Sequence, residues 1–124
     1  MKNKFGLVVA GITLLIILGG VFLFSGSQNQ TANTPLPTYY EYFWGDGCPH
    51  CANVQAFFNT WEKKDQIDIN KLEVWNNAAN ARLMQKRAKY CNISPSGMGV
   101  PFLFTPEGKC LTGDGPIINL FKSL

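Results

Sequence analysis

The apolar pattern of this chain changes from strand-like to helical across Cys48-Pro49-His50-Cys51, and that junction fixes the first unit of the fold. Tyr39 to Trp44 (YYEYFW) is short and aromatic, bounded by Pro37 and by Gly45-Asp46-Gly47, and reads as a buried strand. From Pro49 to about Lys64, Val54, Phe57, Phe58 and Trp61 recur at helical spacing, and Lys63 and Lys64 suit the negative C-terminal end. Pro49 fits the first helical position, where its missing N–H would have no partner anyway. Two thiols three residues apart can close a disulfide within one turn. The spacing puts the Cys48 sulfur at the turn's exposed N-terminal end, where unpaired N–H groups and the helix dipole favour thiolate.

The pattern continues in the same style. Asp68 to Trp75 (DINKLEVW) alternates as a second strand. Asn77 to Tyr90 is helical, with Ala78, Ala81, Leu83, Met84 and Ala88 inward and Arg82, Lys86, Arg87 and Lys89 outward. Ile93 to Gly99 is a loop, and Val100 to Thr105 (VPFLFT) is a strand beginning at a proline. Pro106-Glu107-Gly108 turns into a hairpin partner over Lys109 to Thr112. Gly113-Asp114-Gly115-Pro116 opens a last helix with Ile117, Ile118, Leu120, Phe121 and Leu124 on its apolar side. The predicted order is β-α-β-α-β-β-α, an α/β fold with a mixed central sheet flanked by helices, over residues 39–124.

Residues 5–24 are twenty residues without a charge, about 30 Å as a helix, which matches a hydrocarbon core. Lys2 and Lys4 precede this run and no charge follows until Glu41. The basic-side rule therefore predicts a single-pass anchor, with residues 1–4 cytoplasmic and the folded domain extracytoplasmic, in the periplasm or at the cell exterior. The rival is a signal peptide cleaved near Ser25-Gly26-Ser27, although the apolar run exceeds the usual length for one. Residues 25–38 (SGSQNQTANTPLPT) have a linker's composition. Without Lys2 and Lys4, nine basic residues face eight acidic ones, a net charge of +1 that gives no basis for nucleic-acid binding.

A Cys-x-x-Cys at a strand–helix junction, followed some fifty residues later by a strand beginning at Val100-Pro101, resembles the thioredoxin superfamily in its minimal form. Cys48-Pro49-His50-Cys51 is similar to the dithiol of DsbA-type disulfide oxidases; Gly47 and Thr112-Gly113-Asp114 are similar to glutaredoxins. Trp44 is placed like the Trp at the strand end in thioredoxins. The resemblance implies a thiol–disulfide oxidoreductase with Cys48 as nucleophile and Cys51 as resolving thiol. Pro101 would be a cis-proline facing the dithiol, with Val100 offering its backbone to an extended substrate. A cationic His50 beside the Cys48 thiolate would stabilise the reduced form and tilt the pair toward oxidising its substrates; DsbA is the established example of that logic. The expected partners are protein thiols and a second redox protein that resets the dithiol, with no metal or organic cofactor.

The chain departs from this pattern at Tyr42, six residues before Cys48, where such domains often carry a buried acid. Glu41 is adjacent and points to the opposite face, so it is either solvent-facing with the base missing, or the register is shifted. Asp46, in the loop before Cys48, reads as a turn residue.

Cys91 and Cys110 are either a structural disulfide worth about 3 kcal/mol in the chain-entropy model, or two buried thiols. Zinc is disfavoured because Cys91 and Cys110 do not form a second close pair, and c-type haem because Ala52 follows Cys51. Three alternatives remain open: reductase, isomerase or glutaredoxin-like exchange on the same scaffold; Cu(I) handling by Cys48, Cys51, His50 and Met98; and an inert Cys48–Cys51 staple.

Overall fold

The computed structural model describes residue 4, residues 6–15 and residues 34–124. The chain divides into two units, Met1–Thr31 and Ala32–Leu124. In the first, residues 6–15 are helical. Among the described residues, no helix is long and apolar enough to cross a membrane. The span expected over 5–24 lies partly outside the described residues, as do Ser25-Gly26-Ser27 and the linker up to residue 33.

The second unit is an α/β domain ordered β1 (Tyr40–Trp44), α1 (Pro49–Thr60), β2 (Ile69–Glu73), α2 (Ala78–Tyr90), β3 (Phe102–Phe104), β4 (Cys110–Thr112) and α3 (Asp114–Lys122), with a one-turn 3-10 helix at Pro95–Gly97. The sheet is mixed and four-stranded, in the order β2-β1-β3-β4. β1 runs parallel to β2, joined through α1, and antiparallel to β3, which forms a hairpin with β4. This arrangement is compatible with a thioredoxin-like fold.

Alternation along β1 divides the core. Tyr42 faces Val54 and Phe58 of α1 and Ile117 and Phe121 of α3, whereas Phe43 faces Met84 and Ala88 of α2. β3 divides the same way, with Leu103 on the Tyr42 side and Phe102 and Phe104 on the other. Phe58 meets Tyr42 edge-on at 5.4 Å between ring centroids and Phe121 at 5.0 Å, so α1 and α3 close over one face of the sheet through aromatic contacts.

Several boundaries differ from expectation for identifiable reasons. α1 stops at Thr60 instead of reaching Lys64, because Trp61 turns extended and packs its indole against Phe121, 5.3 Å between centroids. Lys64 Nζ donates to the carbonyl of Asn59 at 3.3 Å, and Lys63 Nζ reaches the carbonyl of Leu124. β3 begins at Phe102, since Pro101 has no N–H for the ladder and its carbonyl accepts from Gly113 N–H at 3.0 Å. α2 begins at Ala78, its N–H groups at Ala79 and Asn80 capped by the Asn77 side chain, both at 3.1 Å.

Arg87, expected outward, is buried, and so is Glu41, which is not solvent-facing. The two form a bidentate ion pair across the α2 face of the sheet, and Arg87 Nη1 also donates to the carbonyl of Pro35 at 3.2 Å. The register is unshifted: Tyr42 pairs with Lys71 and Leu103, and Glu41 with Asn70 and Phe104.

Cys91, at the C-cap of α2, is disulfide-bonded to Cys110 in β4, with Cα atoms 6.2 Å apart. Beyond this cap Asn92 turns left-handed (φ 56°) and Ile93 N–H returns to the carbonyl of Ala88 at 2.9 Å.

Candidate active site

Cys48 is the N-cap of α1, with extended backbone (φ −75°, ψ 118°), and Pro49 occupies the first helical position. Gly47 turns left-handed just before it (φ 81°), a conformation that glycine adopts without a Cβ penalty. The cap is made by sulfur: Cys48 Sγ accepts from Cys51 N–H at 3.2 Å. No acidic residue of α1's own first turn offsets the positive end of the helix.

Cys48 and Cys51 are disulfide-bonded, with Cα atoms 5.2 Å apart. Both are buried, Cys48 at 7% and Cys51 at 3% relative exposure, so Cys48 is the more accessible sulfur but not the open one expected of the helix end. The reason lies in its neighbours. The Val100–Pro101 peptide bond is cis, and the carbonyl of Val100 sits 3.9 Å from Cys48 Sγ. On the other side lies a cavity of about 470 Å³ lined by Trp44, Gly45, Pro49, Ala52 and Gln55 as well as both cysteines. A Cβ on Gly45 would overlap the indole of Trp75, so only glycine lets this exposed tryptophan lie against the loop.

The loop before Cys48 is secured from β2. Glu73 at its end accepts from Trp75 N–H at 2.9 Å, Asn76 N–H at 2.8 Å and Asp46 N–H at 3.3 Å. Desolvation pushes the Glu73 carboxyl up, and these backbone donors outweigh it, leaving the group below its ordinary range. Asp46 is exposed, as its reading as a turn residue requires.

His50 lies one residue into the turn from Pro49, with its side chain 70% exposed. Its Nδ1 is 3.2 Å from Asp114 Oδ2, at the start of α3, and the same oxygen accepts from Asn53 Nδ2 at 2.7 Å. These two hydrogen bonds, first from Asn53 and then from His50, hold the Asp114 carboxyl down at about 2. Sequence marks Asp114 only as a helix opener in a glutaredoxin-like Thr-Gly-Asp; its partner lies 64 residues away and meets it because α3 packs on α1.

Tyr42 stands six residues before Cys48, where the sequence resemblance implies a buried acid. Its hydroxyl donates to the carbonyl of Cys51 at 3.4 Å, and desolvation, followed by the Asp114 charge, pushes its ionisation up. A buried phenol of that kind does not take a proton near neutrality. Met98 packs, half-buried, against the Phe43 cluster. Cys91 and Cys110 belong to the α2–β4 junction.

The site therefore unites a disulfide at a helix N-terminus, a cis-proline loop against the outer sulfur, and an imidazole on the same turn paired with a carboxylate at the start of α3. Such an arrangement can undergo two-electron thiol exchange. No known protein family, curated protein or solved structure matches this chain.

Proposed function

We propose that the domain is a thiol–disulfide oxidoreductase acting on protein cysteines through Cys48 and Cys51. The observation that carries this reading is Cys48 at the N-cap of α1, disulfide-bonded to Cys51 and lying against the cis Val100–Pro101 peptide. A substrate thiolate attacks Cys48 Sγ, the S–S bond to Cys51 breaks, and Cys51 leaves as thiolate. Attack by a second substrate thiolate on the first substrate sulfur then releases Cys48. Two electrons pass from the substrate sulfurs to Cys48 and Cys51, and the substrate leaves as a disulfide.

The direction is oxidation of substrates. The first turn of α1 lacks acids and donates Cys51 N–H to Cys48 Sγ, both of which favour the Cys48 thiolate and so the reduced form of the pair. A helix with Leu7, Val8, Ile12, Leu14 and Leu15 all exposed supports a membrane tether, which would place the domain outside the cytoplasm where a partner protein reoxidises it. The Asp114 carboxylate favours the second reading, reduction or isomerisation, because a neutralised His50–Asp114 pair gives Cys48 less charge stabilisation than a bare imidazolium.

The test is oxidation of a reduced, unfolded model protein by the oxidised full-length chain, with trapping of mixed disulfides. Cys48→Ser is expected to abolish turnover; Cys51→Ser, whose lone Cys48 thiol holds no disulfide to donate, should lose turnover too but accumulate an adduct on Cys48 when offered a disulfide-containing protein. Turnover retained in Cys48→Ser would remove the reading.

A further inference from the structure

An exchange site needs somewhere for the incoming thiol's proton, and the usual interior positions are closed. Tyr42 is a buried phenol bonded to the Cys51 carbonyl. Glu41 lies on the other face of β1, both carboxylate oxygens taken by Arg87. The side chain in the turn that carries Cys48 and Cys51 that is both ionisable and open to an arriving thiol is His50.

We propose that Asp114 is a positioning residue that makes His50 a proton acceptor for substrate thiols, an inference that rests on the exchange reading above. The chemistry follows from one nitrogen. Asp114 Oδ2 faces His50 Nδ1 at 3.2 Å, and a carboxylate can only accept, so Nδ1 carries the hydrogen. In the neutral ring this leaves Nε2 as the lone-pair nitrogen. The Asp114 carboxylate is itself fixed: Asn53 Nδ2 donates to it at 2.7 Å from the next turn of α1, and Gly115 N–H to Oδ1 at 3.1 Å from its own helix. Its low ionisation keeps it an acceptor throughout the neutral range.

A docking R–SH gives its proton to Nε2, and the resulting RS⁻ attacks Cys48 Sγ. The Cys48–Cys51 bond breaks, Cys51 carries away the electron pair as thiolate, and the imidazolium returns its proton to solvent or to that thiolate. The gain has a ceiling: an ordinary thiol is only about 3% ionised at pH 7, so a local base can speed attack by no more than about thirtyfold.

The test measures reduction of the Cys48–Cys51 disulfide in the full-length chain by excess N-acetylcysteine amide, an uncharged thiol, at pH 7. Variants are His50→Ala, Asp114→Asn, Asp114→Ser, Asp46→Asn and the His50→Ala/Asp114→Asn double. His50→Ala is expected to slow reduction three- to thirtyfold, and both Asp114 variants at least threefold. Asp114→Asn should add nothing in the His50→Ala background, and Asp46→Asn should leave the rate within twofold. Imidazole ¹⁵N shifts of the neutral ring should report the Nδ1–H tautomer in the unaltered chain and its loss in Asp114→Asn. An unchanged rate in His50→Ala, equal slowing by Asp114→Asn with or without His50, or an Nε2–H tautomer in the unaltered chain would each overturn the proposal. A disulfide that the thiol does not reduce in the unaltered chain would instead overturn the exchange reading, and the tautomer would still report the pairing.

Discussion

Arg87 on α2 holds Glu41 on β1 in a buried bidentate ion pair, Nε to Oε2 at 2.7 Å and Nη2 to Oε1 at 3.0 Å. The same guanidinium stacks on Phe104 with its carbon 4.6 Å from the ring centroid, and reaches back to the Pro35 carbonyl. One side chain thus ties the entry to the domain, the second helix and two neighbouring strands.

Removing one partner leaves the other charge buried and unpaired. Glu41→Gln or Arg87→Met is predicted to destabilise the domain by about 3–5 kcal/mol in a denaturant titration. Replacing both, as Glu41→Leu with Arg87→Met, should recover most of that loss, because no charge is then left inside. Equal destabilisation by the double variant would show that the pair contributes through shape rather than charge.

This pair also marks where the sequence was legible and where it was not. The order of elements could be read because each change of apolar period coincided with a Gly or Pro boundary, as at Gly45-Asp46-Gly47 before Pro49. The charge of Arg87 predicts an outward side chain. Its spacing said otherwise: it lies three residues after Met84 and beside Ala88, on the buried side of α2. Glu41 likewise alternates with Tyr42 in a strand covered on both faces, where the three central positions, Glu41, Tyr42 and Phe43, are buried whichever face they take. A buried acid and a buried base on facing elements were a pair to be made, but neither charge advertises its partner. The His50–Asp114 contact was harder still, since 64 residues separate its members and only packing of α3 on α1 joins them.

The Cys91–Cys110 disulfide closes a loop spanning 19 residues, from the end of α2 to β4. Cys91→Ser with Cys110→Ser is predicted to lower stability by about 3 kcal/mol in the chain-entropy model. Exchange at Cys48 should persist, because the second disulfide packs with α2 and Phe104, on the sheet face opposite Tyr42 and Cys51. Loss of exchange with stability intact would show coupling between the two disulfides.

Asp114 gives the domain an acid-sensitive contact. Its carboxyl sits at about 2 in the fold against an ordinary 3.8, so the folded state favours the carboxylate. A depressed value contributes stability above the unfolded pKa, and that contribution is lost as pH falls toward the folded one. Between pH of about 4 and 2, Asp114→Asn is therefore predicted to lose stability less steeply than the unaltered chain, read from urea midpoints at several pH values. Parallel curves would show that the hydrogen bonds from Asn53 and His50 do not survive in solution.

The reduction potential of the Cys48–Cys51 pair tests the central claim most directly. Equilibration of the full-length chain with glutathione buffers, followed by quantitation of the two free thiols, is predicted to give a value above about −200 mV, on the oxidising side of the protein disulfide range. A value at or below about −270 mV, that of thioredoxin, would contradict the oxidising direction and make the site a reductant.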